Sequence, residues 1–108
     1  MFARMTQLIA KSGQSTEFKS MMERALSTLK QQAGCIDVLA LNSENDPNEF
    51  VGISFWESKE DADKYMAGSA QQILQAARPL LQGEPTIRSF NVEVSTAHNL
   101  GIGRAATN

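Results

Sequence analysis

The chain has 108 residues, 42% of them hydrophobic and 20% charged, with a net charge of −2, which fits one globular domain and excludes a disordered or disulfide-scaffolded protein. No basic cluster appears, which argues against nucleic acid and anionic membrane as partners. Cys35 is alone, so neither an intrachain disulfide nor a cysteine-based metal site is expected.

At the N-terminus, "MFARMTQLIAKSG" is broken by Arg4, Gln7 and Lys11, so it lacks the apolar run of a signal peptide. No stretch reaches membrane-spanning length, and a cytoplasmic location is expected. "FARMTQLI" reads as a first strand, Phe2–Ile9, followed by the turn residues "KSGQS". From Glu17, the apolar positions Phe18, Met21, Met22, Ala25, Leu26, Leu29 and Ala33 draw one helical stripe. Ser15 or Thr16 is expected to cap its start, and Gly34 to end it in the left-handed conformation.

"CIDVLALN" (Cys35–Asn42) and "EFVGISFWE" (Glu49–Glu57) read as strands joined across Asp46-Pro47-Asn48, a β-hairpin. Ser58, with Asp61 three residues on, resembles a capping box and opens a helix to about Met66. Gly68 breaks it. "SAQQILQAARPLLQG" is a further helix that Pro79 must kink or end. "PTIRSFNVEV" (Pro85–Val94) alternates as a fourth strand, and Thr96–Asn108 is aperiodic. The expected organisation is one domain over residues 1–95 and a tail over 96–108.

The order β-α-β-β-α-β, with the second helical region split, is the ferredoxin-like α+β arrangement: a four-stranded antiparallel sheet with helices on one face. Alternation puts Phe50, Gly52, Ser54 and Trp56 on one side of the third strand and Val51, Ile53 and Phe55 on the other; Leu39 and Leu41 oppose Ile36, Val38 and Ala40. Both sheet faces are thus largely apolar. Helices cover only one, so a second copy packed sheet to sheet is expected.

Gly34-Cys35 opening the second strand, the run "NSENDPNEFVGISFWESKEDADKYM" and the last alternating strand resemble the antibiotic biosynthesis monooxygenase (ABM) family over residues 2–95. The resemblance implies a dimeric α+β barrel with a pocket between sheet and helices in each subunit, and a homodimer that binds a small molecule. Some members oxidise phenolic compounds with dioxygen without metal or flavin; others degrade haem or act on quinols. The haem-degrading pattern of Asn, Trp and His falls here near Thr6, Tyr65 and Gln75, none of which matches, and the only His is His98 in the tail. No cofactor is expected, and the resemblance implies a cofactor-independent monooxygenase acting on a small aromatic, polyketide or quinol-like compound. The alternative is a non-catalytic ligand-binding or stress-response dimer of the same fold.

Trp56 reads equally as core filler or as pocket wall; the small Gly52 and Ser54 beside it leave room for a cavity, with Phe50 further along that face. Tyr65 and Arg88 are the candidate catalytic groups. Tyr65 is either an ordinary residue of an amphipathic helix or a phenol that hydrogen-bonds substrate oxygen, and with a pKa near ~10 it is a better donor than base. Arg88 is either a solvated strand residue or a cation for an anionic substrate. Asp37 reads as a pocket carboxylate or a dimer ion pair, and Cys35 as a small buried hydrophobe. An anion is expected to meet the start of the second helix, beside Trp56.

Overall fold

A computed structural model describes residues 1–96. The expected tail, including His98, falls almost entirely on residues 97–108, outside the described residues. The elements are β1 (Phe2–Ile9), α1 (Ser15–Lys30), β2 (Cys35–Asn42), β3 (Glu49–Trp56), α2 (Lys59–Ala67), α3 (Ser69–Ala77), a single 3-10 turn (Arg78–Leu80) and β4 (Thr86–Asn91). The strands form one antiparallel sheet in the order β2-β3-β1-β4, the ferredoxin-like topology.

The register decides which face each residue serves. Phe2, Arg4, Thr6 and Leu8 of β1 lie opposite Trp56, Ser54, Gly52 and Phe50 of β3, and this shared face lies beneath the helices. Phe18 of α1 is fully buried, its ring 5.0 Å from that of Phe50. Phe18 and Phe50 centre one core cluster with Leu8, Met22 and Ala77, while Phe2, Trp56 and Ala62 form a second. A bulge between Cys35 and Asp37 offsets the first residues of β2, so Cys35 pairs with Trp56 on the helix side and Asp37 with Phe55 on the open side.

Three boundaries depart from expectation. Helix α1 begins at Ser15 behind Gln14, with no side-chain cap. The turn closed by the Gln14 N–H to the Lys11 carbonyl, with Gly13 at φ +81°, redirects the chain early enough that Ser15 and Thr16 enter the helix. The helix then ends at Lys30 rather than Ala33, because the Gln31 and Gln32 N–H groups turn back to Thr28 and Leu29 and tighten the last turn. Gly34 is left-handed as expected (φ +79°), but it serves the entry to β2. Strand β4 stops at Asn91, opposite Phe2; the first strand offers nothing further to pair with except the Met1 carbonyl, which accepts from Val92 N–H.

The second helical region follows its local signals. Ser58 caps α2 by accepting the Asp61 N–H at 3.2 Å and donates its own hydroxyl to Asp61 Oδ2 at 3.0 Å. Gly68 separates α2 from α3, and Pro79 sits where α-helix gives way to the 3-10 turn. The chain then returns to the end of β1 through Lys11 N–H to Leu80 O and Gln82 N–H to Ile9 O.

Candidate functional site

Between the two core clusters lies a cavity of ≈ 120 Å³. Its floor is the middle of the β1–β3 pair: Arg4 opposite Ser54 and Thr6 opposite Gly52. Met21 and Met22 of α1, Tyr65 and Met66 of α2 and Leu74 of α3 stand over it. The floor is open because Gly52 lacks a side chain: a Cβ placed there would meet nothing within 4 Å. A volume near 120 Å³ suits about one aromatic ring, and the methionines over it can repack around a larger one.

Trp56 is both core and wall. It is 1% exposed and packs with Phe2 and Ala62, yet it also lines the cavity. Its Nε1–H donates to Ser54 Oγ at 2.8 Å, so Ser54 anchors the indole besides leaving room. Tyr65 stacks at 5.5 Å from Trp56 in a tilted arrangement. Burial, and secondarily the neighbouring Cys35, pushes the Tyr65 phenol up to about 12. It is therefore protonated at neutral pH and serves only as a hydrogen-bond donor or acceptor, not as a base. Cys35 is half-buried against the same cluster, and its thiol is likewise raised by burial.

Of the residues singled out in the sequence, Trp56, Ser54, Gly52 and Tyr65 come together at the cavity. Phe50 does not line it; it packs under α1 and borders a wider groove of ≈ 510 Å³ beside Lys19 and Asn42. Arg88 is not brought to the cavity. It pairs with Met5 on the open sheet face, its guanidinium 5.0 Å from the Phe90 ring, while its neighbours Ile87 and Ser89 face the helix side opposite Thr6 and Arg4. Asp37 also sits on the open face, where Oδ1 accepts the Val38 N–H at 2.9 Å. Thr6 lines the cavity and Gln75 is exposed on α3. At the start of α2, the Ser58 hydroxyl takes the Asp61 N–H, and Glu60 and Asp61 in the first turn already set negative charge against the positive end of the helix.

The residue that composition and motif overlooked is Arg4, the one charged side chain lining the cavity among the described residues. Its Nε donates to Ser89 Oγ at 3.3 Å and its Nη2 to Asp63 Oδ1 at 3.1 Å, so the guanidinium bridges the β4 edge and α2. The signal available in the sequence was a cation in phase with Phe2, Thr6 and Leu8 on an otherwise inward strand face. The Arg4 hydrogen bond, with Lys59 beside it, holds the Asp63 carboxyl below the usual carboxylate range. Among the described residues, no three His, Cys, Asp or Glu side chains converge as a metal ion would require.

The profile of the antibiotic biosynthesis monooxygenase family matches residues 1–77. The chain belongs to this family. Its fold matches a crystal structure of an antibiotic biosynthesis monooxygenase with a TM-score of 0.78 at 15% identity, over 87% of this chain and 100% of that one. A variant of SnoaB, a cofactor-independent oxygenase from Streptomyces nogalater, superimposes with a TM-score of 0.77 at 16% identity, over 90% of this chain and 97% of that one. A protein of unknown function from Nitrosomonas europaea gives 0.79 at 21% identity, over 88% and 91% of the two chains. At these identities the superpositions establish the ABM fold. Comparison with curated proteins gives no match. No helix among the described residues is long and apolar enough to cross a membrane.

Proposed function

We propose that this chain is a cofactor-independent monooxygenase that oxidises a small aromatic, polyketide or quinol-like compound with dioxygen in the cavity between sheet and helices. The observation that carries the reading is the apolar cavity walled by Trp56 and Tyr65 on the ABM fold, with room for about one ring. The substrate supplies the electrons: an activated CH₂ and O₂ give a carbonyl and water, one oxygen atom going to each product. The protein's task is to hold the substrate anion out of water and to meet its oxygen with the Tyr65 phenol and the polar floor. The SnoaB likeness is consistent with chemistry of this type.

The functional unit in this reading is a cytoplasmic homodimer. Leu39, Leu41 and Phe90 are each more than 40% exposed on the open sheet face, and a second copy packed there removes them from water.

A second reading, a binding dimer without turnover, is favoured by one feature: among the described residues no Asp, Glu or His lines the cavity, so none of these side chains takes a substrate proton there. Oxygen uptake separates the two. With hydroxynaphthalenes and quinols, the protein alone is expected to consume oxygen and to show saturable quenching of its single tryptophan. Gly52→Val, which fills the open floor, is expected to abolish both while preserving the fold. Quenching without oxygen uptake across the panel would favour the binding reading.

A further inference from the structure

We propose that Arg4 is the specificity-determining residue of this cavity, pairing with the ionised oxygen of an acidic aromatic ligand, and that Asp63 is the resident counter-ion which that ligand displaces. The inference rests on the reading of the cavity as a ligand site.

Arg4 sits at the cavity margin with its side chain 11% exposed, whereas its partner Asp63 is 52% exposed. A cation held this far from water requires partners; beside the Ser89 hydroxyl and the Phe2 ring, 5.1 Å from its guanidinium carbon, the carboxylate it pairs with belongs mainly to solvent. Asp63 is also shared, since Lys59 Nζ lies 3.6 Å from its other carboxylate oxygen. Arg4 and Lys59 thus share the Asp63 carboxylate, so neither cation has it to itself. The guanidinium gives one bond to Ser89 and one to Asp63, and a fork of this shape has further donors suited to a second oxygen. Ser54 lies directly across the strand pair and Thr6 two residues along the same face, so hydroxyls flank the place where a ligand oxygen would meet Arg4.

Apart from the Tyr65 hydroxyl, the rest of the lining is apolar, which orients a ligand with its ring inside and its charged oxygen at the margin. The side chains around the cavity are equipped to hold an anion and not to make one: Tyr65 is neutral, Asp63 is depressed and engaged with cations, and among the described residues no carboxylate lines the cavity. A ligand that already ionises near neutral pH, such as an acidic phenol or enol, fits this set.

The test uses 4-nitrophenol and nitrobenzene, single rings of similar size that differ in the ionisable oxygen. Binding is read by quenching of the single tryptophan, and ionisation of the bound phenol by its visible absorbance. Wild-type protein is expected to bind both and to lower the apparent pKa of bound 4-nitrophenol. Arg4→Met is expected to weaken nitrophenolate by about tenfold or more, the scale of a charged hydrogen bond, to abolish the pKa shift and to leave nitrobenzene within about twofold. Asp63→Asn, at an exposed position, is expected to act in the opposite direction, tightening nitrophenolate several-fold without affecting nitrobenzene. It keeps the proposal testable where Arg4→Met fails to fold. Nitrobenzene binding retained, with nitrophenolate indifferent to Arg4→Met or weakened by Asp63→Asn, would overturn the Arg4 assignment alone. Failure of both probes to bind wild-type protein would remove the cavity reading and the Arg4 assignment together.

Discussion

Replacing Trp56 by Phe separates the two roles of the indole. The side chain is 1% exposed, packs on Phe2, Ala62 and Tyr65, and donates to Ser54 Oγ at 2.8 Å. A phenyl ring keeps most of the apolar contact but gives up the hydrogen bond, about 1 kcal/mol, and leaves a small void worth about another 1 kcal/mol. The expected cost is about 2 kcal/mol, or on the order of 8 °C in Tm for a domain of this length, which leaves the protein folded. Ser54→Ala keeps the ring and orphans the indole N–H, at about 1–2 kcal/mol. Because the two changes remove the same bond, the double variant is expected to cost less than the sum by about 1 kcal/mol. The assay is urea denaturation followed by far-ultraviolet circular dichroism at one fixed protein concentration, since the substitution removes the only tryptophan. Aromatic ligands are expected to bind Trp56→Phe about 1 kcal/mol more weakly as stacking surface is lost. A Trp56→Phe cost under about 0.5 kcal/mol, or strict additivity with Ser54→Ala, would refute the packing and hydrogen-bond reasoning.

Gly34→Ala is expected to destabilise by roughly 2 kcal/mol or more, because φ is +79° and the new Cβ would fall 2.1 Å from Asp61 Oδ2; a urea midpoint equal to wild type would contradict this. Tyr65, the only tyrosine, has its pKa raised from 10.0 to about 12, so its stabilising effect is intact below pH 10 and is lost as pH rises through about 12. Partial exposure holds the effect to roughly 1 kcal/mol. An ultraviolet titration with a phenolate midpoint at the unperturbed value would rule it out, and Tyr65→Phe should remove this share of the alkaline loss. The proposed dimer should sediment as such at micromolar concentration, and Leu41→Glu on the open face should shift it to monomer; a wild-type monomer would dismiss the sheet-to-sheet pairing.

Local chemistry in the sequence was sufficient for the order and most of the limits of the elements. The alternation in β1 and β3, the Ser58 cap, the break at Gly68 and the stop at Pro79 each act within a few residues of where they are written. The shared inward face of Gly52, Ser54 and Trp56 was legible for the same reason. What needed the tertiary structure was every fact set by partners distant in sequence. Alternation in β4 separates Arg88 from Ile87 and Ser89, but only its register with β1, placing Arg88 opposite Met5, turned Arg88 to the open face. The pairing of Arg4 with Asp63 spans 59 positions and exists because α2 crosses back over β1. The early end of β4 follows from where β1 begins. Hydrophobic period and turn chemistry are local properties of the chain, whereas the neighbours of a charge on a strand are chosen by sheet register and helix packing, and these decided which cation stands at the cavity.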